Sequence, residues 1–176
     1  MPTQYPIILA HGVMLKDVKF VKAFGNIERL LRDNDYATYT APTDGFGSIE
    51  NNAAQLADFI REIMAAEGVS KVNIIAHSKG GLDSRYMIDH VGMAEHIASL
   101  TFLSTPHKGS KLATNLYHLP RVIKYPIACY LHAAYRIFGD NRFETANKVA
   151  DATLGNLNMG KYDSVVVACG TDFADA

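Results

Sequence analysis

The segment AHSKG, residues 76–80, places a serine between small residues where an apolar run gives way to a helical pattern. KVNIIA before it has the composition of a strand, and GGLDSRYMIDHV after it has that of a helix. A tight strand-to-helix turn forces the serine into an unusual backbone conformation. The residues two before and two after it, here Ala76 and Gly80, must be small because the strand and the helix pass close to each other. Ser78 is therefore a candidate nucleophile; a serine that only caps the helix is the alternative.

Attack of a serine on an ester carbonyl creates an oxyanion, which needs hydrogen-bond donors aimed at it. The N–H of Lys79 is expected at a helix N-terminus, where amides lack partners and the helix dipole favours negative charge. A second donor is expected after the first apolar run, ILAHGVM, where a turn at His11 and Gly12 makes the Val13 N–H the candidate. We assign the role of Lys79 to its backbone, although its ammonium could attract acidic or zwitterionic substrates.

The elements that must position these groups alternate between strand and helix. Strand patterns are predicted at 5–10, 36–41, 71–76, 99–104 and 164–170, and helical ones at 20–34, at 80–91 and between Ser48 as N-cap and Gly68 as stop. Continuously apolar strands in a β-α-β-α order predict a mostly parallel sheet covered by helices on both faces, a three-layer α/β sandwich. With 176 residues and 48% hydrophobic content, a single domain is expected.

Residues 111–160 interrupt this alternation with helix-like pieces separated by prolines and glycines. Within them, YPIACYLHAAYRIF at 125–138 is apolar nearly all round. Such a helix either covers an apolar cleft while packing on the protein, or is an ordinary buried core helix.

Composition limits the partners. The net charge is -1 without basic or acidic runs, so no nucleic acid is predicted and the partner is expected to be small or neutral. Cys129 and Cys169 have no metal-type spacing and are read as two buried thiols, and no metal or cofactor is predicted. Without signal-peptide features or a membrane-spanning run, the chain as written is expected to be cytoplasmic, or secreted if a leader has been removed.

Three stretches together resemble the signatures of bacterial triacylglycerol lipases of the α/β-hydrolase superfamily. They are YPIILAHG, KVNIIAHSKGGLDSRY and ASLTFLSTPHKGS, in the expected order and at similar intervals through residue 110. The resemblance implies an α/β-hydrolase fold in one domain, 1–176, with 111–160 as a mobile lid that contacts lipid interfaces. It further implies hydrolysis of acylglycerols or related acyl esters through an acyl-enzyme on Ser78, with the N–H groups of Val13 and Lys79 as oxyanion donors.

The catalytic triad of this fold follows the chain order serine, acid, histidine. Asp172, just after the strand predicted at 164–170, is the candidate acid, with Asp175 as an alternative. No histidine follows them; the last is His132, inside the predicted lid. The remaining histidines are given other roles: His11 shapes the oxyanion turn by hydrogen bonding, His77 packs against strands, His107 is structural, and His90, His96 and His118 belong to the surface or loops.

Two interpretations of the absent base are open. Either the chain is the N-terminal portion of a longer lipase, which we favour because a terminal apolar edge strand invites aggregation, or it is a shortened chain without general-base catalysis. Two other functions are alternatives to the ester hydrolase. One is an inactive or fragmentary hydrolase-fold binding module, and the other is an acyltransferase or thioesterase that uses the same serine.

Overall fold

A computed structural model describes residues 3–13, 24–45 and 47–109, together with 119–120, 122–123, 126–127 and 129–130. The elements in chain order are β1 (Ile7–Ala10), α1 (Ile27–Asp33), β2 (Thr38–Thr40), α2 (Ile49–Glu67), β3 (Val72–His77), α3 (Lys79–His90), a 3-10 turn (Ala94–His96) and β4 (Ile97–Leu103). The strand predicted at 164–170 lies outside the described residues, as does most of the segment 111–160.

The four described strands form one parallel sheet in the order β2-β1-β3-β4. The chain runs from β1 to β2 on one side and then crosses to β3 on the other side of β1. The strand order therefore reverses between β1 and β3, whose pairing includes Ile8 opposite Ile74 and Ala10 opposite Ala76. In open α/β sheets, sites form in the crevice beyond the carboxyl ends of the strands at such a reversal. The residues that follow β1 and β3 are those singled out from the sequence.

Helix α2 begins and ends at the residues predicted for it. The Ser48 hydroxyl accepts a hydrogen bond from the Asn51 N–H at 3.2 Å, and Gly68 ends the helix in the left-handed conformation at φ 66°. The apolar stripe of α2 is buried against the sheet, with Leu56 and Ile60 fully inaccessible to solvent. Burial of side chains of this size contributes about 1.5–3 kcal/mol each, which fixes α2 on this face.

The opposite face of the sheet is covered by the segment that contains α1. Phe24 is buried against Ile7 and Leu9 of β1, and Leu31 of α1 packs on the same cluster. Helices on both faces of a parallel sheet confirm the predicted three-layer α/β class. The prediction of one helix over 20–34 was wrong in its described part, because residues 24–26 form a turn, with Gly25 at φ 55°, and the helix begins at Ile27.

Strand β4 differs from the expectation of fully buried strands. Thr101 is exposed and the other six residues of β4 are half-buried, whereas all four residues of β1 are buried. Within the described residues β4 pairs only with β3, so its other edge has no described strand beside it.

The described residues between 119 and 130 include helical positions on which three large apolar side chains are exposed, those of Val122, Ile123 and Tyr130. Cys129 is also exposed, so the prediction of a buried thiol was wrong there; Cys169 lies outside the described residues. Residue type alone had suggested burial, and the local surroundings of Cys129 do not provide it. In the part of the chain that the structure describes, no helix combines the length and apolar character required to cross a membrane.

Candidate active site

Ser78 occupies the turn between β3 and α3 with a strained backbone. Its φ of 54° and ψ of -124° lie in a region that non-glycine residues rarely adopt, at a cost of about 1–3 kcal/mol. Two backbone hydrogen bonds hold the turn: the Ser78 N–H donates to the Leu103 carbonyl at 2.9 Å, and the Gly81 N–H donates to the Ser78 carbonyl at 3.1 Å. The Ser78 side chain makes no capping hydrogen bond to α3. Ser78 therefore occupies the N-cap position of α3 without the side-chain hydrogen bond that a capping role would supply.

Two glycines allow α3 to start close to its neighbours. A Cβ atom on Gly80 would overlap the carbonyl oxygens of Ala10 and His11, and one on Gly81 would overlap the side chain of Thr105. The predicted need for a small residue at position 80 is thus real, but its cause differs from the one expected. The helix start is crowded by the end of β1, rather than by the strand that leads into the serine.

The turn after β1 lies directly against the serine. A Cβ atom on Gly12 would come within 2.8 Å of the Ser78 Cβ and 3.2 Å of the Ser78 Oγ. Val13 follows immediately, and its half-buried side chain packs beside Ile49 and Leu82. Lys79 is the first residue of α3, where backbone N–H groups have no acceptor within the helix. The structure thus brings the segment ending at Val13 together with Ser78 and Lys79 at the carboxyl ends of β1 and β3.

His11 is held inside the turn by two hydrogen bonds. Its Nδ1 lies 2.9 Å from the Gly12 carbonyl oxygen and its Nε2 lies 3.3 Å from the Thr43 hydroxyl. Because a carbonyl only accepts, Nδ1 carries the proton and donates, and Nε2 accepts from Thr43. His11 is 2% exposed. Its geometry agrees with the predicted role of shaping this turn.

The side chain of Lys79 does not lie where a substrate-attracting cation would be. It is 1% exposed, and its ammonium donates to both carboxylate oxygens of Asp83, at 2.7 and 3.0 Å. The suggestion that this amine attracts acidic substrates was therefore wrong. Lys79 and Asp83 are four residues apart on α3, and that spacing brings the two side chains together on the buried side of the helix.

Asn52 of α2 completes this buried group. Its amide donates to Asp83 Oδ2 at 3.1 Å and to the Asp44 carbonyl at 2.8 Å. Burial raises the pKa of the Asp83 carboxyl above its usual range, while the Lys79 ammonium and the Asn52 amide favour the charged form and oppose that shift. This buried group was not predicted from the sequence, because its only signal is the spacing of four residues between Lys79 and Asp83, and such pairs usually lie on the exposed side of a helix.

His107 lies in the loop after β4 and is held by a cation. Its Nδ1 accepts a hydrogen bond from the Arg85 guanidinium at 2.9 Å, and its ring meets the Phe102 ring edge to face at 4.4 Å between centroids. Burial, and then the positive charge of Arg85, lower the pKa of His107 below its usual value. A neutral imidazole fixed by Arg85 agrees with the structural role predicted for it.

The other described histidines have separate surroundings. His77 meets Phe24 edge to face at 6.4 Å, and its buried Nδ1 has no partner among the described residues. His90 is exposed, and the Nδ1 of His96 lies 3.2 Å from the Ser70 carbonyl. His118, His132 and the candidate acids Asp172 and Asp175 lie outside the described residues.

A family model described as a PGAP1-like alpha/beta domain matches residues 35–124, just over half of the 176 residues. The chain belongs to the PGAP1-like alpha/beta domain family. This match includes Ser78 and Lys79 but begins after the turn at Gly12. Together with the relatives below, it confirms the resemblance to lipases of the α/β-hydrolase superfamily.

Curated relatives of this PGAP1-like domain are named triacylglycerol lipases. The one from Pseudarthrobacter phenanthrenivorans is 36% identical over 116 residues, which are 63% of this chain and 36% of that protein. The one from Burkholderia plantarii is also 36% identical over 116 residues, covering 63% of this chain and 32% of the relative. The chain therefore spans about a third of the length of these two relatives.

Solved structures support the same fold for the PGAP1-like domain. A Bacillus licheniformis lipase in its propeptide form has a TM-score of 0.63 and 26% identity, with 73% of this chain and 29% of that one covered. A metagenomic carboxyl esterase also has a TM-score of 0.63, covering 92% of this chain and 45% of the other. Its 15% identity supports the fold alone.

Proposed function

We propose that the protein is a serine ester hydrolase of lipase type that acts on acylglycerols or related acyl esters. The observation that carries the proposal is the strained turn at Ser78, with Gly12 packed against the serine on one side and the start of α3 on the other. Non-glycine residues held in such sparsely populated backbone conformations are concentrated at functional sites, and Ser78 combines this strain with the close approach of Gly12. The names of the lipase relatives point to the same reaction class.

The proposed reaction has two steps. In the first, the Ser78 oxygen attacks the ester carbonyl carbon, a general base takes the hydroxyl proton, and the C–O bond to the alcohol breaks as that proton passes to the leaving oxygen. In the second, water attacks the acyl-enzyme and releases the carboxylic acid. The N–H groups of Val13 and Lys79 are the proposed donors to the oxyanion of each tetrahedral intermediate. Asp172 remains the proposed acid, and the base is assigned to no residue.

We further propose that residues 111–160 form a lid within the single domain and bring the protein into contact with lipid interfaces. Among their described positions, Val122, Ile123 and Tyr130 are exposed, as an interface-binding surface would require. Faster hydrolysis of an emulsified ester than of the same ester in solution supports the lid. Equal rates of hydrolysis for the emulsified and the dissolved ester, at equal concentrations of accessible ester, would contradict it.

The test of the nucleophile is labelling by a fluorophosphonate, which forms a stable adduct with an activated serine. The whole natural protein is expected to be modified at Ser78, as located by peptide mass spectrometry, and to hydrolyse a p-nitrophenyl ester. Ser78→Ala is expected to abolish both. Ser104→Ala is the matched control, because Ser104 also has a positive φ, of 53°, directly after the neighbouring strand β4.

The outcome also separates the alternatives. A folded protein that is not labelled at Ser78 contradicts the hydrolase and supports a binding module. Labelling at Ser78 with transfer of the acyl group to an added alcohol or thiol, in preference to water, supports an acyltransferase. Labelling that survives Ser78→Ala would exclude Ser78 as the nucleophile.

A further inference from the structure

A chain of buried polar groups connects the two sides of the candidate oxyanion site. It runs from the Gly12 carbonyl through His11 to Thr43, along the backbone to Asp44, through Asn52 to Asp83, and ends at Lys79. The six residues with polar side chains along this path are between 1% and 3% exposed: His11, Thr43, Asp44, Asn52, Asp83 and Lys79.

Buried polar groups of this number are unusual, because each one loses hydration that only a well-placed partner can replace. Here the hydrogen bonds between them measure 2.7 to 3.3 Å. Residues 43 and 44 are the middle of the path: Thr43 contacts His11 of the β1 turn, the Asp44 carbonyl accepts from Asn52 of α2, and the Asp44 N–H donates to Gln55 Oε1 at 3.1 Å. Two loops and two helices are thus tied by one set of hydrogen bonds.

The two ends of this path are the residues beside the proposed oxyanion donors. At one end, His11 and Gly12 immediately precede Val13, the first proposed donor. At the other end, Lys79 contributes its side chain to the path and its backbone N–H as the second proposed donor. We propose that Asn52 is a positioning residue, which through Asp83 on one side and through Asp44 and Thr43 on the other holds the Val13 and Lys79 amides at a fixed separation. The inference rests on the hydrolase proposed above and deepens it, because it assigns to α2 a role in transition-state binding.

Asn52 is the best point at which to cut this path. It lies between Asp44 and Asp83, contacts neither Ser78 nor the donors in the described hydrogen bonds, and its removal leaves Lys79 and Asp83 paired. Ile60 is the matched control: it is fully buried on the same helix, two turns further on, and belongs to the apolar core cluster. Asn52→Ala and Ile60→Val therefore both perturb the interior of α2, and only the first breaks the polar path.

The first measurement is steady-state hydrolysis of a soluble p-nitrophenyl ester by the whole natural protein, at a temperature where all variants are folded by circular dichroism. Displaced oxyanion donors weaken transition-state binding more than substrate binding, so kcat of Asn52→Ala is expected to fall about 10- to 100-fold while KM stays within about twofold. Ile60→Val is expected to keep the wild-type kcat. Wild-type kcat in Asn52→Ala, or an equal loss in Ile60→Val, overturns the proposal.

The second measurement does not depend on activity. Amide hydrogen exchange followed by NMR is expected to be at least about tenfold faster at the hydrogen-bonded Ser78 and Gly81 amides, which hold the turn around Lys79, in Asn52→Ala than in Ile60→Val, because local opening becomes easier. Unchanged exchange overturns the positioning role. If the wild-type protein is neither labelled at Ser78 nor active, the hydrolase fails, and exchange alone decides whether Asn52 positions this turn. If Asn52→Ala does not fold, Thr43→Val cuts the same path beside His11 under the same criteria.

Discussion

Removing one partner of the buried pair between Lys79 and Asp83 is expected to destabilise the protein strongly, while replacing both is not. Both side chains are at most 2% exposed, and the ammonium contacts both carboxylate oxygens within 3.0 Å. Breaking such a pair leaves an uncompensated buried charge at a cost of about 3–5 kcal/mol. At about 2–4 °C per kcal/mol for a chain of this size, Lys79→Met or Asp83→Leu should lower Tm by about 6–20 °C.

The double variant Lys79→Met, Asp83→Leu buries no charge and is expected to unfold close to the wild-type temperature. The measurement is a double-mutant cycle by thermal and urea unfolding, followed by circular dichroism. Single variants within about 1 kcal/mol of wild type, or a double variant whose loss equals the sum of the single losses, would refute the reasoning.

The same pair gives a pH test with a definite sign. In Lys79→Met the buried Asp83 loses its cation, so its folded-state pKa rises further above the unfolded value. A group that binds its proton more tightly in the folded state contributes stability that is present at low pH and lost as the pH rises. The stability deficit of Lys79→Met should therefore be smaller at about pH 5 than at about pH 8. A deficit that does not change with pH would show that Asp83 is not the charge left behind.

Three further predictions concern other residues. Gly12→Ala should reduce ester hydrolysis about 100-fold, because its Cβ would come within 2.8 Å of the Ser78 Cβ and displace the serine; Gly68→Asn, in open space, should leave kcat unchanged. Ser48→Ala should cost about 1 kcal/mol in urea unfolding, through the lost cap of α2, and a loss below about 0.3 kcal/mol would contradict the capping role. The lowered pKa of His107 predicts stability that is present above the usual value of 6.5 and lost as the pH falls through the lower folded value. Thermal unfolding of His107→Gln should show a smaller loss of Tm on acidification than the wild type.

The fold was predictable where local patterns and topology agree. The stripe on α2, with Ser48 before it and Gly68 after it, determines that helix completely, because capping, periodicity and the stop signal coincide. The four described strands were also predictable, since apolar runs between helices leave a parallel sheet as the arrangement that buries them. The start of α1 was not predictable from the sequence. Phe24 fits the helical spacing of the residues after it, but it lies in a turn before the helix and is buried from there. Spacing cannot distinguish those two ways of burying one side chain.

The candidate site was predictable in its backbone and not in its side chains. The pattern around Ser78 predicts a strained turn because only a few residue types allow helix and strand to meet so closely, and φ at Ser78 agrees. The burial of Lys79 was missed because a lysine beside a proposed cleft is ordinarily solvent-exposed. Its partners Asp83 and Asn52 come from two helices whose packing depends on the whole fold, and no local pattern specifies that contact.

The positive φ at Ser78 lowers the stability of the folded protein at the position where the proposed chemistry needs the serine. Glycine adopts that conformation without the steric cost that serine incurs. A selection of variants for higher Tm alone would therefore favour Gly at position 78. Substitutions intended to raise the free energy of unfolding should therefore be made at positions far from the site, such as the surface of α2, and should leave the turn after β3 unchanged.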